Sequence, residues 1–321
     1  MKALLPKEFA DCLEPHLTSD RYPDLEKAWV DSTGKIEGDP TDAEVYFNWF
    51  YLKPPTLHKV LDVAPKIRWH QTPSAGVNHI LTPKYLERDI ILTNGAGNSA
   101  IPISEFVLTY ILYHAKKIDI LIELRQQRGW KRGFELQLGE IYGKTILIIG
   151  AGKIGQAIAQ RAKAFGLKVI GSRSNPQPLE NFDLIVGKDE WRSHLPEVDY
   201  AVIATPLTPE TIKLFDEAAI NALRPDAFVI NIARGAIVDE DALIKALKEE
   251  RIAGAALDTF TVEPLPQESP LWTLPNVFIT PHTSASSPRA IDRIVNLFLD
   301  NLQRYRTGQP LRNVVDKSTG Y

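Results

Sequence analysis

Cysteine is almost absent from this sequence. Of 321 residues only Cys12 is a cysteine, so no intramolecular disulfide can form, and no Cys/His spacing offers a zinc site. An excess of either charge is missing as well. Forty acidic side chains face 37 basic ones, a net charge of −3, which gives no general attraction for nucleic acid or for an anionic membrane surface. Long apolar runs are lacking too: the strongest, Phe106 to Tyr113, is followed by Lys116 and Lys117 and is far short of the roughly 20 residues that cross a bilayer. It reads as a buried helix. Lys7 and Glu8 come too early for the apolar core of a signal peptide. These absences lead us to expect a cytoplasmic protein that binds neither nucleic acid nor membrane and holds no metal. The basic residues Arg125, Arg128, Lys131 and Arg132, around Gly129 and Trp130, read as a solvated helix end and loop.

What is present is an ordinary globular composition, 44% hydrophobic and 24% charged, without repeats or low-complexity tracts. At roughly 100–200 residues per domain the chain should hold two domains. The central region alternates short apolar runs with amphipathic stretches, the pattern of parallel strands and crossover helices. Strands are expected at Thr145 to Ile149, Lys168 to Gly171, Tyr200 to Ala204, Phe228 to Ile232, Ala253 to Leu257 and Val277 to Thr280. Helices are expected from Ile154 to Phe165 and from Glu240 to Lys248. The first hundred residues are richer in proline and polar turns, with short apolar runs such as Val45-Tyr46-Phe47. After His282, Ser286-Ser287-Pro288 signals a helix start, and Ile291, Ile294, Val295, Phe298, Leu299 and Leu302 follow at helical spacing. The expectation is an α/β protein of two doubly wound parallel-sheet domains. A dinucleotide-binding domain, residues 99–287, would be inserted in a discontinuous substrate domain, 1–98 with 288–321, with ligands in the cleft between them.

Gly150-Ala151-Gly152-Lys153-Ile154-Gly155 matches G-x-G-x-x-G directly after an apolar strand and at the start of an amphipathic helix. In that context Gly150 serves a tight turn, Gly152 a close backbone approach to a pyrophosphate, and Gly155 close helix packing, with the helix N-terminus facing the phosphates. An NAD site usually carries Asp or Glu at the end of the next strand, to bind the ribose 2′-hydroxyl. Here that place reads Ser172-Arg173-Ser174. A guanidinium flanked by hydroxyls suits a 2′-phosphate, so NADPH is the expected cofactor, with NADH possible. Three further polar residues stand just beyond apolar strands: Arg234 in Asn231-Ile232-Ala233-Arg234-Gly235, Glu263 in Asp258 to Pro264, and His282 in Thr280-Pro281-His282-Thr283.

These motifs, with Thr205-Pro206-Leu207-Thr208-Pro209-Glu210-Thr211 between them, resemble the D-isomer-specific 2-hydroxyacid dehydrogenase family over nearly the whole chain. The resemblance implies a Rossmann dinucleotide domain, a flavodoxin-like substrate domain and a homodimer; the apolar helix around Phe106 to Tyr113 is one candidate for its surface, and burial between domains explains the same residues equally. It implies that Arg234 binds the substrate carboxylate and polarises the keto group. His282 would move the proton on the C2 oxygen, and Glu263 would pair with His282. Cofactor contacts would fall on Gly150, Gly152, Lys153, Ile154, Gly155, Ser172, Arg173, Ser174, Thr205, Pro206, Thr211, Ile232, Ala233 and Asp258, with Ile103 against the nicotinamide. Thr72 to Asn78 resembles the family's loop whose backbone amides hold the substrate carboxylate, which assigns Ser74, Ala75 and Gly76 to the substrate. It departs from the commoner pattern at Ser74-Ala75-Gly76 and at Asn78. The aromatic stretch near Asn48, Trp49, Phe50 and Tyr51 reads either as a wall of the substrate pocket, through Phe50, or as plain core.

The chemistry asks for the same set. Reducing a 2-keto acid needs a cation for the carboxylate, an acid at the carbonyl oxygen and a hydride donor held against C2. Arginine offers two-point recognition, and a carboxylate beside histidine favours the imidazolium. The expected function is NADPH-preferring reduction of small 2-keto acids such as glyoxylate, hydroxypyruvate or pyruvate. Two alternatives stand beside it: an NAD-dependent dehydrogenase of the same family, and a dinucleotide-sensing corepressor that shares the fold. Arg234 and Glu263 could also form a structural ion pair.

Overall fold

The structure is a computed structural model that describes residues 1–50 and 52–318, so Tyr51 of the aromatic stretch lies outside the described residues. It divides into two units, Met1–Ser99 with Ser287–Tyr321, and Ala100–Ser286. In the first, six strands, β1 (Lys2–Pro6), β2 (Glu26–Val30), β3 (Ile36–Glu37), β4 (Val45–Phe47), β5 (Trp69–Gln71) and β6 (Ile91–Thr93), form one sheet in the order β3-β2-β1-β4-β5-β6. All neighbours are parallel except β3 on β2. Without that edge strand, the order is the flavodoxin-like 2-1-3-4-5. Alternation along β1 divides the core. Leu4 packs with Leu57, Val60 and Leu61 of the helix Pro54–Val63, while Ala3 and Leu5 face Ile294, Phe298 and Leu302 of the helix Ala290–Arg306. Phe298 stacks on Phe47 at 4.5 Å and on Trp69 at 5.5 Å, so the last helix is an integral layer of this unit. Its start lies later than Ser287-Pro288 suggests. Ser287 instead builds the turn before the helix, accepting the Ala290 N–H on its carbonyl at 3.1 Å and the Arg289 N–H on its hydroxyl at 3.2 Å.

The second unit holds seven strands: β7 (Thr145–Ile149), β8 (Lys168–Ser172), β9 (Leu184–Val186), β10 (Tyr200–Ile203), β11 (Phe228–Asn231), β12 (Gly254–Leu257) and β13 (Val277–Ile279). Their order is β13-β12-β11-β10-β7-β8-β9, and every pair is parallel. This is a Rossmann order with one strand added beyond the sixth. All five residues of β7 are buried, as both faces of a parallel sheet must be covered. Ile146 and Ile148 face the helices Ala100–Ala115 and Lys153–Ala164, whereas Leu147 and Ile149 face Glu217–Ala222 and Glu240–Lys248. The run Phe106 to Tyr113 lies inside the first of these helices, where Val107, Leu108, Tyr110 and Ile111 are buried in the unit's own core. Phe106, Leu112 and Tyr113 of the same run are half-buried. Among the described residues, no helix is long and apolar enough to cross a membrane, and no cluster of His, Cys, Asp and Glu could hold a metal ion.

One buried histidine gives the first unit a pH-dependent element. His70, on β5, is fully buried; its Nδ1 lies 3.1 Å from Tyr85 Oη and its Nε2 2.8 Å from Asn48 Oδ1, and its ring stacks on Tyr46 at 4.8 Å. Burial pushes its pKa down from 6.5 to about 3. The folded chain therefore refuses a proton that the unfolded chain accepts near pH 6.5. His70 opposes folding progressively as pH falls from 6.5 towards 3, and not above that window. The Tm of the protein is expected to fall between pH 6.5 and 4 by more than that of His70→Gln; equal falls would contradict this account.

Candidate active site

Every chemistry-bearing residue of the second unit sits just past the carboxyl end of a strand. The glycine loop follows β7, Arg173 follows β8, Thr205 follows β10, Arg234 follows β11, Glu263 follows β12 and His282 follows β13. Parallel pairing places these ends on one edge of the sheet, and β7 and β10 meet at its topological switch point.

The glycines separate by role. Gly150 has φ +107°, and a Cβ there would lie 2.6 Å from Ala204 C and Thr205 N. A Cβ on Gly155 would lie 2.4 Å from Gly150 O, so the turn and the helix pack backbone to backbone. A Cβ on Gly152 meets nothing within 4 Å. Gly152 is also the N-cap of the helix Lys153–Ala164 and gives it no side-chain cap. That combination, open space before uncapped helical amides, fits a pyrophosphate. Ser172 closes β8 and is buried; its carbonyl accepts the N–H groups of Gly150 and Ala151 at 3.1 and 2.8 Å. Arg173 is half-buried and Ser174 exposed. Among the described residues, the Arg173 guanidinium has neither a carboxylate nor a hydrogen-bond partner. Thr211 closes its own loop, its hydroxyl donating to Pro206 O at 2.7 Å and accepting the Thr208 N–H at 2.7 Å. Ile232 is buried and Ala233 half-buried, whereas Ile103 is 7% exposed within the core of its helix.

His282 Nδ1 lies 2.8 Å from Glu263 Oε2, and Glu263 Oε1 accepts the Phe260 N–H at 3.0 Å. The glutamate is therefore held by the backbone of its own loop, and among the described residues it leaves Nε2 of the histidine ring without a hydrogen-bond partner. His282 adopts φ +54°, the left-handed region that a residue with a Cβ enters at a cost. Asp258 holds it there. The buried Asp258 carboxylate accepts the Thr280 hydroxyl at 2.6 Å and the N–H groups of Thr283 and Ser284 at 2.9 and 3.2 Å, pinning the chain on both sides of His282. Because Thr280 donates its one hydroxyl hydrogen to Asp258, Tyr110 Oη must be the donor in its 2.7 Å contact with Thr280 Oγ1.

Arg234 is exposed, and among the described residues it forms no ion pair; its Nη1 reaches only Ala233 O, at 2.6 Å. The structural pairing of Arg234 with Glu263 is therefore not what the structure contains. Asn231 braces the arginine's turn, donating to Arg234 O and accepting the Ala233 N–H, both at 3.0 Å. A Cβ on Gly235 would lie 1.9 Å from Phe260 C, so the arginine and glutamate loops are in backbone contact. The bracing roles of Asn231, Thr280 and Ser284 and the donor role of Tyr110 were not legible in the sequence. For the first three, position beside a named site residue was the available signal; Tyr110, inside the apolar run Phe106 to Tyr113, carried none.

In the first unit, Ala75 is exposed and Ser74 and Gly76 are half-buried. Among the described residues, the N–H groups of Ala75 and Gly76 have no acceptor. Adjacent free amides of this kind suit an anion. Phe50 is half-buried against Phe9 and Trp49, with ring centroids 6.0 and 5.3 Å away.

A family model described as D-isomer specific 2-hydroxyacid dehydrogenase, NAD binding domain, matches residues 108–284. A glyoxylate reductase of Thermococcus gammatolerans is 35% identical over 265 residues, 81% of this chain and 79% of the relative. A glyoxylate reductase of Korarchaeum cryptofilum is 29% identical over 328 residues, 98% of this chain and 94% of the relative. Among solved structures, an NADPH-dependent glyoxylate/hydroxypyruvate reductase from Sinorhizobium meliloti, in complex with NADP and sulfate, has a TM-score of 0.83 at 28% identity. It covers 100% of this chain and 99% of that one. A D-isomer specific 2-hydroxyacid dehydrogenase from Xanthobacter autotrophicus, in complex with NADPH and MES, has the same TM-score, identity and coverage.

The contrast between the glycines is testable. Gly150→Ala forces a backbone clash and should lower Tm strongly, whereas Gly152→Ala should leave Tm within about 2 °C of the parent and act on dinucleotide affinity. Equal Tm losses, or an undiminished dinucleotide affinity in Gly152→Ala, would contradict these roles.

Proposed function

The chain belongs to the D-isomer specific 2-hydroxyacid dehydrogenase family, and on that premise we propose that it is an NADPH-preferring reductase of small 2-keto acids such as glyoxylate and hydroxypyruvate. The observation that carries this reading is the His282–Glu263 pair together with an arginine that has no carboxylate of its own. Arg234 takes the substrate carboxylate in a two-point contact and draws density from the keto oxygen. Protonated His282 donates from Nε2 to the C2 oxygen, while Glu263 at Nδ1 fixes the ring and balances the imidazolium. The Ala75 and Gly76 amides are a carboxylate-receptive pair in the first unit, and Phe50 is assigned to the pocket wall. The dinucleotide, when bound, supplies the hydride. Gly150, Gly152, Lys153, Ile154 and Gly155 would hold its pyrophosphate, and Thr205, Pro206, Thr211, Ile232, Ala233, Asp258 and Ile103 are assigned to the rest of the dinucleotide, with Asp258 also holding the histidine loop.

The preference for NADPH rests on Arg173. A 2′-phosphate carries close to two negative charges, and a guanidinium without a competing carboxylate can form charge-assisted hydrogen bonds with it. The names of similar proteins support this reading, since two of the solved structures hold NADPH or NADP. We place the reaction in the cytoplasm. A homodimer is the proposed assembly. Among the exposed apolar side chains of the second unit, Ile122, Trp130, Phe134, Leu138 and Tyr142 fall within one stretch of chain, with Trp130 93% exposed, and these form the proposed subunit surface. A monomer in sedimentation at micromolar concentration would contradict the dimer.

The test of function compares kcat/KM for a 2-keto acid with NADPH and with NADH in three proteins. Wild type should prefer NADPH. Arg173→Asp should lower the NADPH value at least about tenfold while NADH is unchanged or improved. His282→Ala should lower kcat about 10²–10⁴-fold with both cofactors. A wild type that prefers NADH removes Arg173 from recognition, and near-normal turnover in His282→Ala removes the histidine from the mechanism.

A further inference from the structure

The two free amides of the 74–76 loop stand next to carbonyls that are firmly held. A peptide unit is planar and trans, so a carbonyl and the N–H of the following residue point in opposite directions, and fixing one aims the other. Ser74 C=O accepts the Gly95 N–H at 2.9 Å, which aims the Ala75 N–H. Ala75 C=O accepts Asn94 Nδ2 at 2.9 Å, which aims the Gly76 N–H. Asn94 is 5% exposed, and its Oδ1 accepts the Ala96 N–H at 3.1 Å, so its amide has one orientation. No side chain fits beside it, since a Cβ on Gly95 would lie 1.9 Å from Pro73 O.

The Asn94-Gly95 turn is itself gripped from the other end of the chain. Asn94 donates its N–H to Asn313 O at 3.0 Å, and Asn313 Nδ2 donates back to Asn94 O and Ala96 O at 3.1 and 2.9 Å. Val315 donates its N–H to Leu92 O at 2.8 Å, and Thr93 bridges to Val314, so the segment lies along the end of β6. Asn313 has φ +56°, a conformation that asparagine tolerates better than most residues.

We propose that Asn313, acting through Asn94, is a positioning residue that aims the Ala75 and Gly76 amides at the substrate carboxylate. The C-terminal segment thereby sets affinity for the 2-keto acid. This rests on the reading of the 74–76 loop as a carboxylate site.

Asn313→Gly tests the effect. Glycine keeps the positive φ, and the carbonyl at 313 still accepts the Asn94 N–H, while the side-chain donations to Asn94 O and Ala96 O are lost. The KM for glyoxylate and for hydroxypyruvate should rise about three- to tenfold, with kcat, the KM for NADPH and Tm close to wild type. An unchanged keto-acid KM would overturn the proposal. So would parallel losses in kcat, both KM values and Tm, which is the pattern of a general loosening. Gly76→Pro, which deletes one of the aimed amides, separates the two readings. If it raises the keto-acid KM while Asn313→Gly does not, the loop is the carboxylate site and the positioning role fails. If neither variant raises it, the carboxylate reading of the loop fails, and the positioning role with it.

Discussion

Parallel pairing of seven strands constrains the second unit more than any single contact does. Each parallel neighbour must be reached by a crossover, so all strands run one way and all their carboxyl ends emerge on one edge. A glycine turn, a guanidinium, a second arginine, a glutamate and a histidine, scattered in sequence from Gly150 to His282, reach that edge because each follows the end of a strand. The buried faces supply the rigidity. Ile146 and Ile148 lock one helical layer while Leu147 and Ile149 lock the other, so displacing any one strand would uncover apolar surface on both sides.

On that frame His282 and Glu263 are fixed by short polar networks. Asp258 is buried, yet its carboxylate is satisfied by hydroxyl and backbone donors from Thr280 to Ser284. This offsets the cost of burying a charge and holds His282 in a left-handed conformation at the same time. Glu263 is held in turn by the Phe260 amide. Arg234 differs, since its backbone turn is braced by Asn231 while its side chain keeps no anionic partner. In the proposed reaction these would serve as a rigid acid, its rigid partner and an uncommitted cation, the division of labour that reduction of a 2-keto acid requires.

How much of this could be read from the chain followed contact range. The strand Thr145–Ile149, the glycine loop and the helix Glu240–Lys248 are local patterns, and their reading agrees with the structure almost residue for residue. The first unit was harder. Its strands β4, β5 and β6 are three residues each, too short for a period to show, and β3 adds an antiparallel edge that no local signal announces. Strand β9, also three residues long, was missed for the same reason. That Arg234, Glu263 and His282 stand at one edge of the sheet was legible because each follows a recognisable apolar strand. The bracing was not: Asn313 meets Asn94 across 219 residues, and Asp258 meets Ser284 across 26. The apolar run Phe106 to Tyr113 was legible as a buried helix, but composition could not say that its partners lie in its own unit rather than in another subunit.

The most direct test of the account is the configuration of its product. Hydroxypyruvate is incubated with the protein and NADPH, and the glycerate formed is resolved on a chiral column. The account predicts D-glycerate, formed in step with NADPH oxidation. L-glycerate, a racemate, or no turnover of hydroxypyruvate would contradict it.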